Sequence, residues 1–189
     1  MFQLSEADQQ LLLKIARHSV YEYLSDRAPR LPSDVAGVLN EPHGVFVSLH
    51  QQGQLRGCIG NVHPSMSVLR TVSECAITAA VGDPRFLPLA IEELGDVDFE
   101  ISILSPMERV ENIETIEVGR DGLLIVKHSA RGLLLPQVAA NYGWTRERFL
   151  AETCRKAGLS PHDWKEGAAI LRFTAHVFGE SRKHTSTQR

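Results

Sequence analysis

From Ser5 to about Ser25, the positions Leu12, Ile15, Ala16, Ser19 and Tyr23 fall on one face at helical spacing. Ser5 with Asp8 three residues later supplies an N-cap, and Ala28-Pro29 and Leu31-Pro32 disfavour helix beyond. An ordered connector over residues 27–44 follows. The pattern then switches to a period of two, with Val45, Val47 and Leu49 on one face, a turn at Gln51-Gln52-Gly53-Gln54 and a returning Leu55-Arg-Gly-Cys-Ile. A second helix is predicted from Pro64-Ser-Met-Ser onward, with Val68, Val72, Cys75, Ala76 and Ala79 as its apolar stripe. Gly82 and Asp83-Pro84 stop it.

A short helical turn is expected between Leu87 and Val97, followed by a strand with Phe99, Ile101 and Ile103 facing inward. Gly119-Arg-Asp-Gly122 turns into a strand at Leu123–Lys127. Ser129-Ala-Arg-Gly132 is read as the next turn, with Leu133-Leu-Leu returning until Pro136. Short helices follow over Gln137–Asn141 and from Thr145 to Gly158, then one strand from Ala169 to Phe178 and a polar tail over Ser181–Arg189. Hairpins with irregularly interspersed helices point to α+β with a mostly antiparallel sheet, and no repeat is evident.

Composition narrows the class. A chain of 189 residues with 20 Lys+Arg against 23 Asp+Glu has a formal charge of −3 and no basic surplus for non-specific nucleic-acid binding. No apolar run approaches the roughly 20 residues of a membrane span, and the first ten residues have no basic or apolar leader. Three widely spaced cysteines make no disulfide framework, so a reduced, cytoplasmic protein is expected. The phosphate-loop and dinucleotide fingerprints are absent, Cys58-x4-His63 is not a zinc spacing, and neither a metal nor a cofactor is expected.

The most unusual stretch is Leu55-Arg56-Gly57-Cys58-Ile59-Gly60. Glycine weakens a strand, and two of them beside a thiol and a guanidinium let the backbone approach something closely or adopt φ > 0. Cys58 then reads as a nucleophile or ligand, with Arg56 stabilising a thiolate or holding an anion. The bland alternative is a small buried hydrophobe between bulge-forming glycines. His63 is the nearest imidazole to serve as a base, with no orienting partner identifiable. Asp83-Pro84-Arg85 displays an acid and a base on a rigid turn, or is a helix stop with an ordinary ion pair. Glu100, on the polar side of its strand, either lines a site or faces solvent, and Gln137 either offers an amide to a ligand or caps a helix.

Leu55-Arg-Gly-Cys-Ile-Gly60 resembles the hallmark hexapeptide of the AMMECR-one domain family, whose bacterial and archaeal members are called AmmeMemoRadiSam system protein A. The resemblance runs through Gly44-Val-Phe-Val-Ser-Leu, Asp83-Pro-Arg-Phe, Glu100-Ile-Ser-Ile-Leu-Ser-Pro, Gly132-Leu-Leu-Leu-Pro-Gln-Val, Cys154-Arg-Lys-Ala-Gly158 and Trp164, over about residues 8–180. It implies one α+β domain of two lobes with the hexapeptide at a cleft between them. It also implies an accessory or substrate-binding component of a three-part system with Memo-type and radical-SAM proteins. Arg56, Gly57, Cys58, Gly60, Asp83, Arg85, Glu100 and Gln137 carry over as candidates to contact a small molecule or peptide end. Two other classes stand beside this reading: an independent thiol enzyme using Cys58 with His63, and a non-catalytic interaction module. Asp121 stands where relatives commonly have His, and Asn141 and Thr145 replace acidic residues around Gly143-Trp144.

Overall fold

The structure, a computed structural model, describes residues 4–33, 35–62 and 65–180. Its helices are α1 (Glu6–Leu24), α2 (Val68–Val81), α3 (Pro136–Asn141) and α4 (Arg146–Lys156). Its strands are β1 (Val45–Gln51), β2 (Gln54–Asn61), β3 (Val97–Leu104), β4 (Glu108–Arg109), β5 (Gly122–Lys127), β6 (Ala130–Leu134), β7 (Ala169–Phe173) and β8 (Ala175–Gly179). They form two antiparallel four-stranded sheets, ordered β2-β1-β3-β8 and β4-β7-β5-β6, so the fold is α+β. The described residues divide into two compact units, one of residues 4–103 and 177–180 and one of residues 104–176.

In the first unit α1 begins with a reciprocal capping box: the Ser5 hydroxyl accepts from the Asp8 N–H, and the Asp8 carboxylate accepts from the Ser5 N–H. The inward residues of β1 and β3 are Val45, Val47, Leu49, Phe99, Ile101 and Ile103. They are buried in one core with Leu12, Ile15, Ala16 and Val20 of α1 and Val68, Val72, Cys75 and Ala76 of α2. The hairpin between β1 and β2 turns at Gln52 (φ 53°) and Gly53 (φ 78°), two left-handed residues in succession that match the strand twist. Gly57 is where α2 lies against β2. A Cβ on it would sit 2.1 Å from the Ala79 carbonyl oxygen, so only glycine lets the helix come this close.

The second unit repeats this device. A Cβ on Gly132 would meet the Thr153 carbonyl oxygen at 2.5 Å and the Ala157 nitrogen at 2.4 Å, both at the end of α4. Gly132 therefore lies within β6 rather than in the expected turn; the chain reverses at His128 (φ 56°) and Ser129 instead. Leu123, Ile125, Phe149, Leu150 and Cys154 form this unit's core. Thr145 caps α4 by accepting from the Arg148 N–H, and Asp121 is buried with bonds from the Arg120 guanidinium and the Glu117 N–H, so both departures serve local structure.

Two further expectations are corrected. The final strand is broken at Thr174, which exchanges backbone and side-chain hydrogen bonds with Ser105, so β7 and β8 belong to different sheets. Helix α2 starts at Val68, with Ser67 as its cap position, instead of at Pro64. Pro64, His63 and the predicted tail over Ser181–Arg189 lie outside the described residues.

Candidate functional site

The hexapeptide forms most of β2, the edge strand of its sheet. Alternation turns Gly57 and Ile59 toward the helices and leaves Cys58 and Gly60 on the opposite face. Pairing across β1 is interrupted between Leu49 and His50: His50 pairs with Leu55 and Leu49 with Gly57, leaving Arg56 as the extra residue of a β-bulge. The bulge sets Ser48 opposite Cys58, and Ser48 is in turn opposite Glu100 on β3. Cys58, Ser48 and Glu100 thus form a row across three strands, all half-buried. The Ser48 hydroxyl donates to the Cys58 Sγ at 3.2 Å. Gly60, next to Cys58 on that face, lies beneath the Phe46 ring, where a Cβ would come within 2.2 Å of the ring carbons.

An edge strand leaves peptide groups unpaired. At Cys58 they are matched by side chains from the turn after α2. The Cys58 N–H donates to Asp83 Oδ2 at 2.9 Å, and the Cys58 carbonyl accepts from Arg85 Nη2 at 3.1 Å. Asp83 and Arg85 are themselves joined, Nε to Oδ1 at 2.9 Å and Nη2 to Oδ2 at 2.6 Å, and the Arg85 N–H also donates to Oδ1. The pair offers one acceptor and one donor at strand spacing and so imitates a neighbouring strand. Because both Cys58 peptide groups point outward, Ser48 and Cys58 are a non-hydrogen-bonded pair, in which opposed side chains approach most closely. The Asp83 side chain is 2% exposed and that of Arg85 is 56% exposed. The Arg85 guanidinium, with the Cys58 and Arg85 N–H groups, holds the Asp83 carboxyl far below the usual carboxylate range against the opposing effect of burial.

The other candidates are placed as follows. Arg56 donates to both oxygens of Glu93 at 3.2–3.4 Å and to the Leu87 carbonyl at 2.8 Å, which ties the bulge to the loop before β3. Glu93 also accepts from the Ala90 N–H, and this bond with the Arg56 charge lowers its pKa. Gln137 lies in the first turn of α3, in the second unit. The structure thus brings together Cys58, Gly60, Asp83, Arg85 and Glu100 from the expected set, while Gly57 packs against α2 on the other face of the strand. Ser48 was not anticipated, because only the bulge reveals that it faces Cys58. Cys75 and Cys154 are buried in helix faces, and burial pushes the Cys75 thiol up to about 11. Among the described residues no group of three His, Cys, Asp or Glu could hold a metal, and no helix is long and apolar enough to cross a membrane.

Residues 13–178 match the family model AMMECR1. This chain belongs to the AMMECR1 family. A Methanothermobacter thermautotrophicus protein is 45% identical over 94% of this chain and 96% of its own length. A Pyrococcus furiosus protein is 42% identical over 95% and 91%. The crystal structure of an uncharacterised protein from Pyrococcus horikoshii superposes with a TM-score of 0.88 at 39% identity, covering 95% of each chain. The family match reaches into both units and covers β1 through β7 and most of β8.

Proposed function

We propose that this AMMECR1 protein is an accessory, substrate-binding component that receives a small molecule or a peptide end on the Cys58 face and acts with Memo-type and radical-SAM partners. The observation that carries the reading is the Asp83–Arg85 clamp. A thiol enzyme that adds to a carbonyl needs donors aimed at the developing oxyanion. Here the Cys58 N–H is already bound to Asp83 at 2.9 Å. The clamp holds Cys58 in place as a contact residue, while the exposed part of the Arg85 guanidinium is available to an anionic group and Glu100 to a cationic one. Arg56, bound to Glu93, contributes by fixing the bulge.

The test is gentle co-purification with the Memo-type and radical-SAM proteins, together with their turnover in the presence of wild type or of Arg85→Gln and Glu100→Gln. Retention and a stimulation that both variants reduce are expected; no retention and no effect on turnover overturn the reading. A second reading, an independent thiol enzyme, draws on the Ser48 hydroxyl donated to the Cys58 sulfur at 3.2 Å. It requires alkylation by iodoacetamide at pH 7 at least ten-fold faster than that of free cysteine, and a slower rate overturns it.

A further inference from the structure

Helix α1 carries a second feature, within the first unit, that the Cys58 face does not use. Lys14, Arg17, His18 and Tyr21 line one side of an open groove of about 700 Å³, and Ile91 and Leu94 line the other. Positions 14, 17, 18 and 21 are a single stripe of α1 spaced i, i+3, i+4 and i+7, about 10 Å or two helical turns long. The lining is mostly carbon. Leu94 forms a buried floor, while Ile91 and Tyr21 are 38% and 43% exposed and stand at its rim.

The basic side chains along the stripe differ in what they are free to do. The Arg17 guanidinium is fully engaged: Nε donates to Glu180 at 2.8 Å, Nη1 to the Leu94 carbonyl at 2.7 Å and Nη2 to the Val97 carbonyl at 2.7 Å. Arg17 therefore shows the groove its aliphatic stem. His18 faces Glu22 at 3.5 Å. Lys14 has no hydrogen-bond or ion-pair partner among the described residues. The groove thus presents an apolar floor and a single uncommitted ammonium at one end. Because one side stays open, the walls cannot enclose most of a small molecule's surface, as small-ligand sites do. An occupant supported on its outer face by its own protein suits this shape better.

We infer that the α1 groove docks a short amphipathic helix of a partner protein, two turns of which lay aliphatic side chains on Ile91, Leu94 and Tyr21 and set a carboxylate against Lys14. In helix-in-groove recognition the docked helix places its apolar anchors at i, i+3, i+4 and i+7. This is independent of the Cys58 face.

The probe is a fluorescein-labelled 14-residue peptide with leucines at positions 4, 7, 8 and 11 among glutamates and alanines, read by fluorescence anisotropy against wild-type protein. A scrambled peptide of equal composition is the control. Saturable binding at least ten-fold tighter than the scrambled peptide is expected. Lys14→Glu and Ile91→Asp, both at exposed positions that leave the core intact, each weaken it at least five-fold. Replacing the glutamates by lysines restores binding to Lys14→Glu but not to wild type. Absence of saturable binding below 1 mM, equal binding of the scrambled peptide, or indifference to both variants overturns the proposal. So does binding of dodecanoate, sensitive to the same variants, without binding of the patterned peptide, since the groove is then a small-molecule site. Cys58→Ser leaves the peptide affinity unchanged, which separates this result from the reading of the Cys58 face.

Discussion

Gly57→Ala adds one carbon where α2 lies on β2. The added Cβ falls 2.1 Å from the Ala79 carbonyl oxygen and 3.1 Å from its carbon. Ordinary contact begins near 3.4 Å, so strand and helix must separate by about 1.3 Å, the difference between the two distances. The obstacle is helix backbone, which cannot swing aside like a side-chain end. Overpacking of this kind costs about 1–3 kcal/mol, and the reduced freedom of the unfolded chain returns about 0.4–1 kcal/mol of it. In a chain of this length each kcal/mol moves Tm by about 2–4 °C, so a loss of several degrees is expected by differential scanning calorimetry. Moving β2 also disturbs the Asp83–Cys58 contact, so Cys58 alkylation in the folded variant changes along with Tm. Gly95→Ala is the control, because its Cβ enters open space at an ordinary φ, and it leaves Tm unchanged or slightly raised. A Gly57→Ala protein melting above wild type refutes the close-approach argument.

Two further outcomes follow from the same site. Asp83→Asn leaves the Cys58 N–H and Arg85 without a charged acceptor and destabilises by about 1–3 kcal/mol at pH 7. Because the folded carboxyl titrates below its unfolded value of about 3.9, its stabilisation is complete at neutral pH and declines as pH falls below that value. The Tm gap between wild type and Asp83→Asn therefore narrows below about pH 4 in thermal melts, and a gap independent of pH contradicts the assignment. Iodoacetamide at pH 8 adds to Cys58 in the native protein well before Cys75 or Cys154, which are 5% and 0% exposed. With its pKa near 11, about one Cys75 in a thousand is thiolate at that pH. Intact-mass and peptide analysis showing Cys75 labelled as fast as Cys58 rejects this ranking.

The amino-acid sequence by itself determined the local elements wherever one signal dominated. The Ser5/Asp8 pair marks the start of α1, the Gln52-Gly53 turn fixes the first hairpin, and the alternation of Phe99, Ile101 and Ile103 orients β3. The hexapeptide marked the family by its resemblance to the hallmark motif, and its two glycines, costly in a strand, marked a place where something approaches closely. It could not show which neighbour each glycine accommodates. At Gly57 that neighbour is α2, brought there by tertiary packing, and at Gly60 it is Phe46, set opposite it by the bulged register of the hairpin. Gly132 was read as a turn because a strand glycine and a turn glycine are identical in sequence; only the end of α4 pressing on it places it in β6.

The partner of Cys58 shows the division most clearly. Counting back from the Gln52-Gly53 turn without a bulge puts Ser48 opposite Gly57 and Cys58 opposite Val47, on the helix side. The extra residue at Arg56 shifts the register by one, and a shift of one in a strand exchanges its two faces. That bulge is held by the Glu93 carboxylate and the Leu87 carbonyl, thirty or more residues further along the chain. Sequence marked Cys58 as unusual; long-range bonds to Arg56 and to the Cys58 peptide decided that it faces Ser48 and Glu100, because a strand's register depends on contacts that its own residues do not encode.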